Sequence, residues 1–215
     1  MPSVAVNQIL VLLIILHAGH CFLVSDNAPR NVVGNLGPTN RIPWGTWGRP
    51  QFCAQGYFAI GYEMKIQRMQ LEGDDTALNA VKLVCQSLEG HHFGGTATST
   101  VGLFGNWGGE ITCKDGFFLK MFALQAAVHQ QNGDDTAANY VKFQCQDFAS
   151  KETSYELAKP PGHGFWGTMG SWSKSCPANS AICGIRTKVD DDHHGNDKIS
   201  LTDVEFYCCD DDSWK

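Results

Sequence analysis

Two segments carry paired carboxylates, Gly73-Asp74-Asp75-Thr76 and Gly133-Asp134-Asp135-Thr136. Such pairs can act as acid and nucleophile or base in glycoside chemistry, or as oxygen ligands for a hard cation. Their occurrence twice, with the same neighbours, favours a structural role. Catalysis needs one asymmetric pair with separated pKa values, whereas every turn gains from a Gly at positive φ and from short Asp side chains that bond back to the backbone. Asp74, Asp75, Asp134 and Asp135 therefore stand as carbohydrate-binding candidates, and no catalytic residue is assigned. Glu63 and Glu110 are further carboxylates without a distinctive placement.

Trp44, Trp47, Trp107, Trp166 and Trp172 could stack on sugar rings. Their repeated position beside cysteines favours packing in the core instead, since a buried indole covers a large apolar area. His91-His92, His193-His194 and the run Asp190 to Asp192 suggest a metal at first sight. Adjacent histidines on a strand point apart, and the acidic run lacks the spacing of a calcium-binding loop. No metal or cofactor is expected. Nucleophile-elbow, zinc-protease, P-loop and dinucleotide-binding fingerprints are all missing from the sequence.

The cysteines say which elements must position these residues. There are nine, and Cys53 to Cys85, Cys113 to Cys145 and Cys176 to Cys208 are each 32 positions apart. Three equal intervals propose three equivalent bridges, leaving Cys183 and Cys209 for a fourth. The adjacent Cys208 and Cys209 leave open a crossed pairing of the last two. The ninth, Cys21, lies next to an apolar run, Ile9 to Leu16, with no Asp, Glu, Lys or Arg before Asp26. That run is too short to span a bilayer and reads as the centre of a signal peptide over residues 1–25, cleaved between about 18 and 25. Secretion into an oxidising, extracellular compartment follows as an expectation.

Residues 26–40 read as a lead segment and residues 210–215 as an acidic tail. Between them, residues 41–209 read as a single domain. The formal charge of −6 argues against nucleic acid or anionic membrane as partner, and no second apolar stretch could serve as a membrane anchor. With 23 glycines, 11% aromatics and no long capped helical pattern, the class is all-β.

The domain contains one unit three times, over about residues 41–90, 101–150 and 163–209. Gly73 to Cys85 aligns with Gly133 to Cys145, and Asn196 to Cys208 is a third, degenerate copy that lacks the second Asp, the Thr and the Asn. Trp44-Gly45-Thr46-Trp47 precedes Cys53 as Phe104-Gly105-Asn106-Trp107 precedes Cys113, and Trp166-Gly167 precedes Cys176 in a shifted register. Aromatic-rich runs follow each first cysteine. A unit thus reads as Trp-Gly strand, cysteine, buried strand, Gly-Asp-Asp turn, alternating strand, cysteine. One such unit cannot cover its own apolar face; three can close around a shared core.

This arrangement, from Arg41 to the Cys208-Cys209 pair, resembles the vitelline membrane outer layer protein 1 family. The resemblance implies a β-prism of three Greek-key sheets with pseudo-threefold symmetry. It also implies a structural component of an extracellular coat or secretion, such as an egg coat, with carbohydrate-binding character and with extracellular glycans or coat proteins as partners. An enzyme acting on N-acetylglucosamine oligomers, transferase or hydrolase, is the alternative reading, and a calcium-dependent lectin the third.

Overall fold

In each copy, the aromatic-rich run and the alternating run form a long antiparallel hairpin with ten residues in each strand. These hairpins are β4 (Tyr57–Ile66) with β5 (Leu78–Ser87), β9 (Phe117–Ala126) with β10 (Ala138–Asp147), and β13 (Ser180–Val189) with β14 (Leu201–Asp210). A computed structural model of the chain describes residues 30–42, 44–70, 76–90, 92–127, 137–190 and 200–211. The Gly-Asp-Asp segments, with Asp74, Asp75, Asp134 and Asp135, lie outside the described residues, as do His91, His193, His194 and the signal-peptide segment.

Three sheets grow from the hairpins. Sheet one adds β6 (Phe93–Thr98) beside β5 and the short β7 (Asn106–Trp107) and β8 (Ile111–Thr112) beside β4. Sheet two adds β11 (Tyr155–Leu157) beside β10 and β12 (Thr168–Met169) beside β9. Sheet three adds β1 (Val32–Leu36) beside β14, and β2 (Thr46–Trp47) and β3 (Gln51–Phe52) beside β13. The order β6-β5-β4-β7, repeated as β11-β10-β9-β12, is a Greek key: three consecutive strands and a fourth that returns to the first. The protein is an all-β prism of three such sheets, as the family resemblance implied.

Two details depart from the sequence reading. The Trp-Gly strands do not join the sheet of their own copy; β2, β7 and β12 each pair with the preceding sheet, because the chain skirts that sheet's edge before entering its own. And β1, inside the lead segment at residues 26–40, is part of the domain. The third hairpin has no strand following it among the described residues, and β1 pairs with β14 in that place.

Equivalent bulges tie the sheets into a ring. In β4, β9 and β13 the pairing skips one residue: Ile60, Lys120 and Cys183. A bulge leaves its residue outside the ladder. Here its carbonyl accepts a hydrogen bond from the first cysteine of the next copy: Cys113 to Ile60 at 2.7 Å, Cys176 to Lys120 at 2.9 Å, and Cys53 to Cys183 at 2.8 Å. Each of those cysteines then bridges to the long strand of its own hairpin, as Cys53–Cys85, Cys113–Cys145 and Cys176–Cys208. The three bridges therefore run from sheet three to one, one to two, and two to three. Cys183–Cys209 crosses β13 and β14 within sheet three.

Inside the ring, side chains from all three sheets meet. Phe122 and Phe206 have ring centroids 4.7 Å apart, Phe143 and Phe206 5.1 Å, and Tyr62 and Phe143 4.6 Å. All four are fully buried, and the Tyr62 hydroxyl donates to the Leu157 carbonyl.

The bulge position in sheet two also buries a cation. Lys120 donates to the carbonyls of Phe148, Pro177 and Ser180, which stitches sheet two to the start of β13. Arg30 does the equivalent for the first copy, donating to Cys53, Ala54 and Tyr57. Burial brings the Lys120 ammonium down to about 8 from an ordinary 10.5, against the opposing charge of Asp147. The unfolded chain thus holds more protons than the folded one between those values, so stability is expected to rise as pH climbs through that window. Lys120→Met is expected to cost about 3 kcal/mol at pH 7 by orphaning carbonyls and to remove the alkaline rise. Urea unfolding at pH 7.5 and 9.5 measures both effects.

Candidate functional site

At the base of every hairpin a backbone bond closes the turn: Gln67 to Ala77, Ala127 to Ala137 and Asp190 to Ser200, all between 2.8 and 2.9 Å. What surrounds the closures is repeated chemistry. Asn79 accepts from the Phe104 amide at 3.1 Å, and Asn139 accepts from the Trp166 amide at 3.2 Å. In the third copy Thr202 reverses the bond, donating to the Trp44 carbonyl at 2.8 Å. The loss of Asn that made this copy look degenerate is thus compensated by a hydroxyl, which can donate or accept.

A second clamp comes from the preceding strand. Lys65 donates to the Gly102 and Leu103 carbonyls, Gln125 to Gly164 and Trp166, and Lys188 to Ile42. These polar side chains, Gln125 and Lys188 buried and Lys65 half-buried, hold the Trp-Gly and Phe-Gly loops to the ends of the sheets. The local sequence gave no signal for them, because a polar residue late in a strand reads as a solvated one.

The tryptophans were expected in the core, and the structure corrects this. None of Trp44, Trp47, Trp107, Trp166 and Trp172 is buried, and Trp107 is 37% exposed. For Trp47 and Trp107 the physical reason is the edge position: two-residue strands on the rim present their side chains across the outer surface, while the axis is already filled by Phe and Tyr. Trp44 is half-buried against Ile42, Ala126 and Ala137. Three of the rings lie over cations. Lys82 Nζ sits 4.3 Å from the Trp107 centroid, Arg186 Cζ 4.5 Å from Trp47, and Lys142 Nζ 5.1 Å from Trp172.

Each of these cations is paired with a carboxylate. Glu63 meets Lys82 at 2.5 Å and also accepts from the Gly109 amide at 2.7 Å. Glu156 meets Lys142 at 2.8 Å, and Glu205 meets Arg186 at 2.6 Å and Arg41 at 2.9 Å. Every sheet thus carries a partly exposed indole over a cation that is paired with a carboxylate; the carboxylate is buried in sheets one and three (Glu63 and Glu205) and exposed in sheet two (Glu156). Glu110, the other carboxylate singled out in the sequence, is exposed.

Sheet three holds the one described carboxyl pair with opposed titration. Burial pushes Asp203 up to about 6, despite its bond from the Val204 amide and the nearby Arg41 and Lys188. Burial also pushes Glu205 up, but Arg186 and Arg41 outweigh it and hold that carboxyl below the ordinary range. Separated pKa values suit an acid–base pair, yet Asp203 is 2% and Glu205 4% exposed, so neither presents a reactive surface. They act as a buried ionic anchor. Because the folded Asp203 binds its proton more tightly than the unfolded chain, its contribution to stability is largest below pH 4 and is lost as pH rises through about 6. Asp203→Asn is expected to flatten that slope, as read by thermal unfolding at pH 4 and pH 7.

The fold and these surfaces define a class: a β-prism ringed by inter-sheet disulfides, with indoles displayed on its outer faces. The sequence profile of vitelline membrane outer layer protein I matches residues 36–211. The vitelline membrane outer layer protein 1 homologs of human and mouse are each 33% identical to the chain, over 205 and 203 residues respectively. Both alignments cover 94% of this chain and 96% of the relative. The chain belongs to the vitelline membrane outer layer protein I family. Among solved structures, frutapin, a lectin from Artocarpus incisa, aligns with a TM-score of 0.44 at 14% identity, over 85% of this chain and 98% of that one. That likeness is too distant to bear on a ligand.

Proposed function

We propose that the protein is a secreted structural component of an extracellular coat or secretion, hardened by disulfides and carrying carbohydrate-binding character. The family's name associates it with an egg coat, and a ring of sheets locked by three bridges suits a protein that must last in an oxidising medium. The observation that carries the glycan reading is the partly exposed indole laid over a cation, as Trp107 over Lys82, since an aromatic face receives the apolar face of a sugar.

The transferase or hydrolase reading has less support. The described pair with separated pKa values lies beneath the surface, and the Asp pairs recur in the sequence with the same turn-forming neighbours in two copies. The calcium-dependent lectin is left to the chelator arm of the experiment: no three metal-ligating side chains cluster among the described residues, and the Asp pairs at 74–75 and 134–135 lie outside them.

A glycan array probed with the oxidised protein, with and without calcium, tests the proposal. Binding that survives a chelator is the expected result. Silence from a demonstrably folded protein would remove the glycan half of the proposal. New oligomer lengths after incubation with chitooligosaccharides would favour the enzyme.

A further inference from the structure

The carboxylate, cation and indole recur in all three sheets, but through residues that do not correspond. In sheet one the acid is on the first long strand and the cation on the second, as the paired Glu63 and Lys82. In sheet three the same register position is exchanged, with Arg186 on the first strand and Glu205 on the second. In sheet two the place of Glu63 is taken by Ala123, paired with Lys142, and the acid comes from Glu156 on the edge strand. The ring is also replaced there: Met169 stands where Trp47 and Trp107 stand, and Trp172, three residues on, supplies the indole.

Simple inheritance of a repeat would keep these residues at matching positions, and drift would lose one of the three. The buried carboxylates of sheets one and three serve the fold, with Glu63 and Glu205 only 6% and 4% exposed, but that role does not call for an indole laid over the cation, since a partly exposed cation–π contact contributes little to stability. What the three faces share at the surface is a partly exposed indole held over a cation.

We infer that the protein carries three glycan-stacking stations, one per sheet, and cross-links neutral pyranose chains as a trivalent binder. This rests on the carbohydrate reading above. The cation beneath each ring fixes its orientation before a ligand arrives, which reduces the ordering cost of binding. The cation beneath the rings of Trp107 and Trp172 is already neutralised by its own carboxylate, and a neutral surround suits hydroxyls better than sulfates or uronates. The sheets of a prism face three directions, so a single stiff chain cannot lie on two stations. Occupying more than one station therefore joins separate chains, and avidity on a polymer exceeds the affinity of one station.

The test is titration calorimetry of the oxidised protein with chitohexaose, cellohexaose and mannohexaose, alongside retention on the matching insoluble polysaccharides. A stoichiometry of three is expected, falling to two in each of Trp47→Ala, Trp107→Ala and Trp172→Ala. Retention should fall about 100-fold in the triple variant, with unchanged far-ultraviolet circular dichroism. A single site untouched by all three substitutions overturns the inference and leaves the carbohydrate reading standing. Absence of binding to every hexasaccharide by the folded protein overturns both.

Discussion

Replacing Cys113 and Cys145 together with serine is expected to lower stability by about 4 kcal/mol, on the chain-entropy account of a loop of this length. The same cost is expected for the other two bridges, because all three span 32 positions. Cys183–Cys209 closes a loop of 26 and should cost nearly as much. Loop length therefore does not separate the four; position does. An inter-sheet bridge closes a seam whose other cross-links include a bulge carbonyl bonded to a cysteine amide. Cys183–Cys209 spans two strands already joined along their length by a ladder interrupted only at its bulges. Hydrogen exchange in the Cys113/Cys145 variant should accelerate along the seam between sheets one and two, whereas the Cys183/Cys209 variant should lose protection only within sheet three. Full reduction would remove on the order of 15 kcal/mol, as much as the whole stability of a typical domain. The reduced chain is expected to show no near-ultraviolet circular dichroism at 25 °C. A reduced protein with native near-ultraviolet signal and cooperative unfolding would show that the core alone suffices.

Much of this architecture was legible because cysteines and glycines are sparse and positionally strict. Equal cysteine intervals announced three like units, and the all-β class followed from turn residues and alternating strands such as Val81-Lys82-Leu83, where the lysine alone is not buried. What stayed hidden was the pairing of strands too short to carry a period. Thr46-Trp47 reads the same whichever sheet it joins, and only the three-dimensional path assigns it to sheet three. The tryptophans misled for a related reason. Repetition in sequence marks a shared environment without saying whether that environment is the axis or the rim. Here Phe122, Phe143 and Phe206 fill the axis, so the indoles are left to the outer faces. Val32–Leu36 was missed because five residues interrupted by Gly34 and Asn35 carry little strand signal of their own; β14 supplies the template.

Gly167→Ala is expected to be the most damaging single change outside the core, and the reason separates two costs that are usually confounded. Gly45, Gly105 and Gly167 follow the three clamped aromatic residues, and all have positive φ, at 89°, 77° and 76°. Each also lies against the end of the preceding sheet's first strand. A Cβ on Gly167 would fall 2.2 Å from the Ala126 carbonyl oxygen, and one on Gly105 2.4 Å from the Ile66 carbonyl carbon. Those neighbours are backbone, so they cannot rotate away. Gly116 supplies the control: its φ is also 76°, yet nothing lies within 4 Å of an added Cβ. Gly116→Ala should therefore cost only the conformational term, about 1 kcal/mol. Gly167→Ala should add displacement of a loop held by Gln125 and Asn139, for a total of about 4 kcal/mol. Urea unfolding of the two variants side by side measures the difference. Equal losses would mean that the loop shifts freely and that the Trp-Gly pair is a matter of backbone angle alone. Unequal losses would tie the glycine to close approach, and with it the outward setting of the indole loops in all three sheets.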